Sequence, residues 1–116
     1  MITGSHLVLF SSDPDADRAF FTDVLERPHV DAGGGWLIFT LPPAEVAVHP
    51  AEGPTGSELY LMCDDVEATV RDLGARGVAF TEGIAEERWG RVTRFRLPGG
   101  SEIGLYEPRH PRAIDL

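Results

Sequence analysis

The chain has 116 residues, with 42% apolar and 25% charged side chains, and its 19 acidic against 10 basic residues give a net charge of −9. That length suits one domain, or two small modules sharing a core, and no apolar run approaches the roughly 20 residues of a membrane span. The acidity repels phosphate backbones and no basic run offsets it, so neither nucleic acid nor a membrane is an expected partner.

In chain order, the opening MITGSH lacks the basic and apolar regions of a signal peptide, which leads us to expect a cytoplasmic protein. Residues 6–14, HLVLFSSDP, alternate large side chains with the period of a strand and then break at a polar pair. Asp13 before Pro14 suits an N-cap followed by the first helical position. Phe20, Phe21, Val24 and Leu25 recur at helical spacing, and Asp15 and Asp17 fall in the first turn, where the helix dipole favours them. The Phe20–Phe21 pair reads as helix-to-sheet packing rather than as a ligand box. The period then returns to two. We expect a short strand near residues 28–32, the strand GGWLIFTLP (34–42), the turn PPAE and a closing strand that stops at Pro50. AEGPTG (51–56) is a Gly/Pro linker.

After the linker the same pattern is written again. ELYLMCDDV (58–66) repeats residues 6–14 at an offset of 52, and Cys63 within it is the only cysteine, which rules out an intrachain disulfide or a multi-cysteine zinc site. It reads as a plain buried thiol. Val66, Val70 and Leu73 form the helical stripe, with Gly77 after Arg76 as C-cap. A short strand is expected near 77–82, and GRVTRFRLP (90–98) aligns with residues 34–42 at an offset of 56, matching Phe39 to Phe95 and Leu41 to Leu97. LPGGSEIGLYEP (97–108) then closes the second copy as LPPAEVAVHP (41–50) closes the first. The expected fold is α+β, a tandem of βαβββ modules: module one over 4–50, the linker 51–56, module two over 57–108 and a tail over 109–116. One module has too little apolar surface to stand alone, so two curved mixed sheets should face a central trough with the helices outside. Such a trough suits a small molecule.

The doubled unit, with HLVLFSSDPDADRAFFTDVL opening one copy and ELYLMCDDVEATVRDLGARGVAF the other, resembles the vicinal oxygen chelate superfamily of glyoxalases, bleomycin-resistance proteins and extradiol dioxygenases. The resemblance spans about residues 4–108. In metal-using members it implies one ligand from the first strand and one from the last strand of each module. Carried over, the first-strand positions are His6 and Glu58, while the last-strand positions are Ala47 and Gly104, which cannot bind a cation. His49, two residues beyond Ala47 and on the same strand face, would complete a two-histidine, one-carboxylate set with His6 and Glu58.

The trough should be lined by Val8 and Phe10 opposite Tyr60 and Met62, and by Glu45, Ala47 and His49 opposite Glu102, Gly104 and Tyr106. Trp36 and Trp89 could stack on a planar ligand, and Arg91 and Arg94 could pair with an anionic one. The candidate ligand pocket is therefore Phe10, Trp36, Tyr60, Met62, Arg94 and Tyr106. His29 and His110, beside Pro28 and Pro111, read as surface residues. Two functions follow from the resemblance. One is a small-molecule binder, metal-free or weakly metal-binding. The alternative is a lyase, isomerase or extradiol-type dioxygenase that uses one divalent ion (zinc, iron, manganese or nickel) at His6, Glu58 and His49. A scaffold for protein association is a third. The resemblance also implies a homodimer, because each module has sheet surface to cover.

Overall fold

The computed structural model describes residues 6–45, 47–54 and 56–116. Helix α1 (Pro14–Ala19) starts where its cap is written: the Asp13 side chain accepts the Ala16 N–H at 3.2 Å, with Pro14 in the first turn. It runs on into a π-helical turn, Phe20–Val24. A two-stranded hairpin follows, β1 (His29–Asp31) antiparallel to β2 (Leu37–Phe39). The second module opens with β3 (Tyr60–Met62) and helix α2 (Val66–Ala75), capped by Asp65 on the Ala68 N–H at 3.1 Å. Gly77, at φ +88°, ends α2 in the left-handed conformation that its sequence position predicts. Then come β4 (Ala79–Phe80), β5 (Ala85–Glu87), β6 (Gly90–Arg96), β7 (Glu102–Pro108) and a 3₁₀ turn, Ala113–Asp115.

The second half of the chain holds five of the seven strands among the described residues. Its sheet runs β3-β7-β6-β4, with β3 parallel to β7, the other pairs antiparallel, and β5 folded onto the start of β6. Alternation along these strands divides the side chains between two faces. Phe95, Leu97, Ile103 and Leu105 point towards α2, where they bury Val66 and Leu73. Each such side chain taken from water contributes about 1.5–3 kcal/mol. The other face carries Tyr60, Gly104 and Arg94 in one row and Met62, Tyr106 and Val92 in the next.

Module one is only half zipped. The strands near 28–32 and 34–42 form and pair, but residues 6–10 and the described part of 45–50 take no place in a sheet. Their polar groups turn elsewhere. Ser12 donates its N–H to Gly99 O at 3.1 Å, Ser101 Oγ donates to Phe10 O at 3.2 Å, and Glu45 binds the C-terminal tail. The consequence is exposure: Phe10 is 89% and Val48 94% accessible. The radius of gyration is 15.0 Å, against roughly 13 Å for a compact domain of this length. β5 is an addition to the expected pattern; it folds against β6 through the turn that carries Trp89.

The π-helical turn joins the modules. Phe20 stacks on Phe95 in the core of module two, at 6.0 Å between ring centroids, while Phe21 packs on Phe39 of the module-one hairpin at 5.3 Å. Arg76 Nη1 donates to Val24 O at 3.0 Å and ties the ends of the two helices. The deepest link is Asp17, buried on α1, whose Oδ1 accepts the Gly99 N–H at 2.6 Å. A side chain at position 99 would run into Ser11 Oγ and the Asp17 carboxylate and would have to displace them.

Replacing Asp17 with Ala should leave the Gly99 N–H buried and unpaired, at a cost of about 1–3 kcal/mol. Asp17→Asn, which keeps an acceptor oxygen, should cost less. Urea unfolding measures both, and an Asp17→Ala midpoint equal to wild type would mean that the link carries no stability.

Candidate functional site

The site grows from the row Tyr60, Gly104, Arg94. Because position 104 has no side chain, the Tyr60 ring lies across it; a Cβ there would collide with the ring carbon Cδ1. The phenol thereby reaches Arg94 on the next strand. Arg94 Nη2 donates to Tyr60 Oη, and Tyr60 donates to Glu58 Oε2 at 2.8 Å. The guanidinium also sits 5.1 Å from the centre of the Tyr60 ring, with Glu58 at 3.5 Å and Glu82 at 3.6 Å. Burial works against the charge on Arg94, yet Tyr60, Glu58 and Glu82 together outweigh it and raise its pKa. Arg94 is thus a fixed positive charge in the middle of the sheet face.

Three rings close on one another beside it. Tyr60, Trp89 and Tyr106 pack pairwise edge to face, with centroids 6.1, 5.8 and 5.4 Å apart. The hairpin between β5 and β6 delivers Trp89, the strand register delivers the tyrosines, and all three contacts sit at one end of the sheet. On the far side of Tyr106 lies His110, stacked at 5.8 Å, its Nε2 2.9 Å from the Tyr106 hydroxyl. Nδ1 is 2.7 Å from the Pro111 carbonyl, which can only accept, so Nδ1 carries a proton. Burial, then the bond to Glu58, raises the Tyr60 pKa, and burial, then the Glu45 charge, raises that of Tyr106.

Of the expected pocket residues, Tyr60, Met62, Arg94 and Tyr106 share this face. Phe10 stands exposed, and Trp36 lies beneath the Arg18 guanidinium at 5.1 Å. Arg91, one face away from Arg94, belongs to the helix side, where it binds Glu67 at 2.6 Å and Glu86 at 2.8 Å. His110 is not a surface residue but a half-buried partner of Tyr106. Its signal was present in the sequence as a histidine four residues beyond a strand tyrosine, just past the Pro108 that ends the strand. Of the expected metal ligands, Glu58 is bound to Tyr60 and Arg94, and His6 and His49 are exposed outside any strand. Among the described residues no three His, Cys, Asp or Glu side chains converge on one point. With a guanidinium beside its only carboxylate and a tyrosine ring over Gly104, this donor set as folded does not fit a four-coordinate cation.

Residues 4–105 match the Glyoxalase/Bleomycin resistance protein/Dioxygenase superfamily, and the chain belongs to it. It is similar to TnmS3, described as an antibiotic binding protein from Streptomyces sp. CB03234: identity 31%, 93% of this chain and 99% of that one covered, TM-score 0.63. It is also similar to a glyoxalase/bleomycin resistance protein from the same organism, at 30% identity, 84% and 93% coverage and a TM-score of 0.57. A superfamily member from Sphaerobacter thermophilus shares the fold at 23% identity, with 91% and 98% coverage and a TM-score of 0.66. No curated protein matches the chain. No helix among the described residues is long and apolar enough to cross a membrane.

Tyr60 and Tyr106 are the only tyrosines, and both pKa values are raised. The native state therefore favours the neutral phenols. Their contribution to stability is complete below the ordinary value near 10 and is lost as pH rises through the raised values. Near-ultraviolet phenolate absorbance of the folded protein should show no group titrating at the ordinary value, whereas the urea-unfolded chain shows both. Half the signal appearing at the ordinary value would mean that one tyrosine is not in this environment.

Proposed function

We propose that this superfamily member binds a small, partly planar organic molecule in the trough, without a resident metal. Tyr60, Tyr106 and Met62 would provide the floor, Trp89 the end wall and Arg94 the polar anchor. The observation that carries this reading is the occupation of the Gly104 position by the Tyr60 ring, which turns a ligand position of the metal-using members into aromatic surface held beside a guanidinium. Similarity to an antibiotic binding protein supports the same reading. Recognition then works by ring contact and one charged anchor, which is how small-molecule pockets commonly fix orientation.

Phe10 and Trp36 enter this proposal as the opposite wall, in a homodimer. Residues 6–10 carry the exposed Leu7, Val8 and Phe10, and β3 is paired on only one side, so its outer edge can accept a strand from a second copy. Light scattering at micromolar concentration should give twice the 12.6 kDa monomer mass, and Phe10→Asp should shift it towards the monomer. A wild-type mass of 12.6 kDa alone would rule the dimer out.

For the ligand, 2-naphthoate offers a planar ring and one anionic group. We expect it to quench tryptophan fluorescence saturably, and Arg94→Ala to weaken it about tenfold, roughly 1.4 kcal/mol. Equal affinity in wild type and Arg94→Ala would remove the anchor from the proposal. The reading as a metal-dependent lyase, isomerase or dioxygenase rests on His6, Glu58 and His49. Because Glu58 is already paired with Arg94, we expect chelator-stripped protein to bind zinc, nickel, manganese or ferrous iron only weakly. Tight one-to-one binding lost in both His6→Ala and His49→Ala would favour the enzyme instead.

A further inference from the structure

The residues after β7 form a built element. The Arg109 N–H donates to Trp89 O at 2.9 Å, so the tail leaves the sheet beside the aromatic cluster. His110 then covers the outer side of Tyr106. Arg112 folds back on Asp115 through two hydrogen bonds, of 3.0 and 2.8 Å, and the turn between them presents its backbone amides in one direction. Glu45 receives them: its Oε2 accepts from Ala113 N at 2.7 Å and from Ile114 N at 3.4 Å. Its other oxygen lies 3.8 Å from His110 Nε2. Glu45 stands in module one, two residues after Pro43 and 68 residues from Ala113. Between this tail and the ends of β3 and β7 lies a cleft of about 450 Å³, walled by His110, Pro111 and Arg112 on one side and by Met62, Cys63 and Glu107 on the other.

We propose that residues 109–116 are a strap that closes this cleft, with Glu45 as its clasp. A three-residue 3₁₀ turn has no cooperativity of its own, and its amides at the open end need acceptors. One carboxylate supplies them here, so Glu45 is what holds the end of the strap, residues 113–116, to module one. Glu45 belongs to the segment that leads into the closing part of module one. A shift of that segment withdraws the clasp, and the free strap uncovers both the cleft and the outer side of Tyr106. The strap therefore couples the position of module one to access at the Tyr106 end of the trough. The inference rests on contacts within the chain and holds whichever small molecule the trough takes.

Cys63, the only thiol, lines the cleft and reports on it directly. Its sulfur is half-buried and points at Tyr106 O, 3.6 Å away. The bulky disulfide reagent 5,5′-dithiobis(2-nitrobenzoate) should react slowly with the wild-type protein and at least about fivefold faster with Glu45→Ala. Glu45→Gln, whose amide oxygen still accepts two N–H groups, should stay near the wild-type rate. Removing residues 113–116 opens the strap from its own end and should match Glu45→Ala. Trypsin cleavage after Arg112 should accelerate in Glu45→Ala while cleavage after Arg71, on the exposed side of α2, stays unchanged. Wild-type thiol and cleavage rates in Glu45→Ala would overturn the proposal. So would a uniform rise in cleavage at every arginine, since the substitution would then act through general unfolding rather than through the strap.

Discussion

The Tyr60 ring occupies the space that any side chain at position 104 would need, and much of this sheet face is arranged around that exchange. A glycine in the middle of β7 is unfavourable by itself, since it forgoes packing and adds backbone entropy to be lost. What it allows is a ring laid flat across a strand, so that one phenol touches residues of two other segments. Arg94 is held by that phenol, Glu58 is drawn in by both, and Trp89 and Tyr106 pack against the edge of the same ring. A larger residue at 104 would stand Tyr60 up and detach all of these together.

The two modules show how one sequence pattern meets two environments. Cap and helix are legible in both copies, because Asp at the N-cap and Gly77 at the C-cap are local signals that act within a few residues. Strand pairing is not local. Residues 60–62 find β7 beside them and join a sheet, whereas residues 6–10, written in the same alternation, join none, and Phe10 and Ser12 bond to the turn at 98–101 instead. Alternation states that a segment can pair. It does not state with what.

The candidate site was legible to the same degree. Tyr60, Met62, Arg94 and Tyr106 follow from register once the strands are known, and the distinction between Arg91 and Arg94 is one of odd against even position. Trp89 needed the extra hairpin of β5, whose AEE sequence carries no alternation of apolar and polar residues. His110 and Glu45 needed the tail to fold back over 68 residues, and no periodicity announces such a contact. The part missed was the part held by side-chain chemistry between distant segments. The likeness of His6 and Glu58 as strand openers was real in sequence, but Glu58 has found a guanidinium as its partner.

The neighbouring rings of Phe20 and Phe21 carry a consequence for how such a chain can change over time. Successive residues on a helix point in different directions, and here that divergence sends one ring into the core of module two and the other onto the hairpin of module one. Insertion or loss of a single residue between Pro14 and Phe20 would rotate both rings at once and exchange the surfaces they serve. Loops such as 51–54 can lengthen or shorten freely, being exposed. The short helix of module one cannot. The length of that helix should therefore be more constant among related chains than the identity of the residues on its outer side.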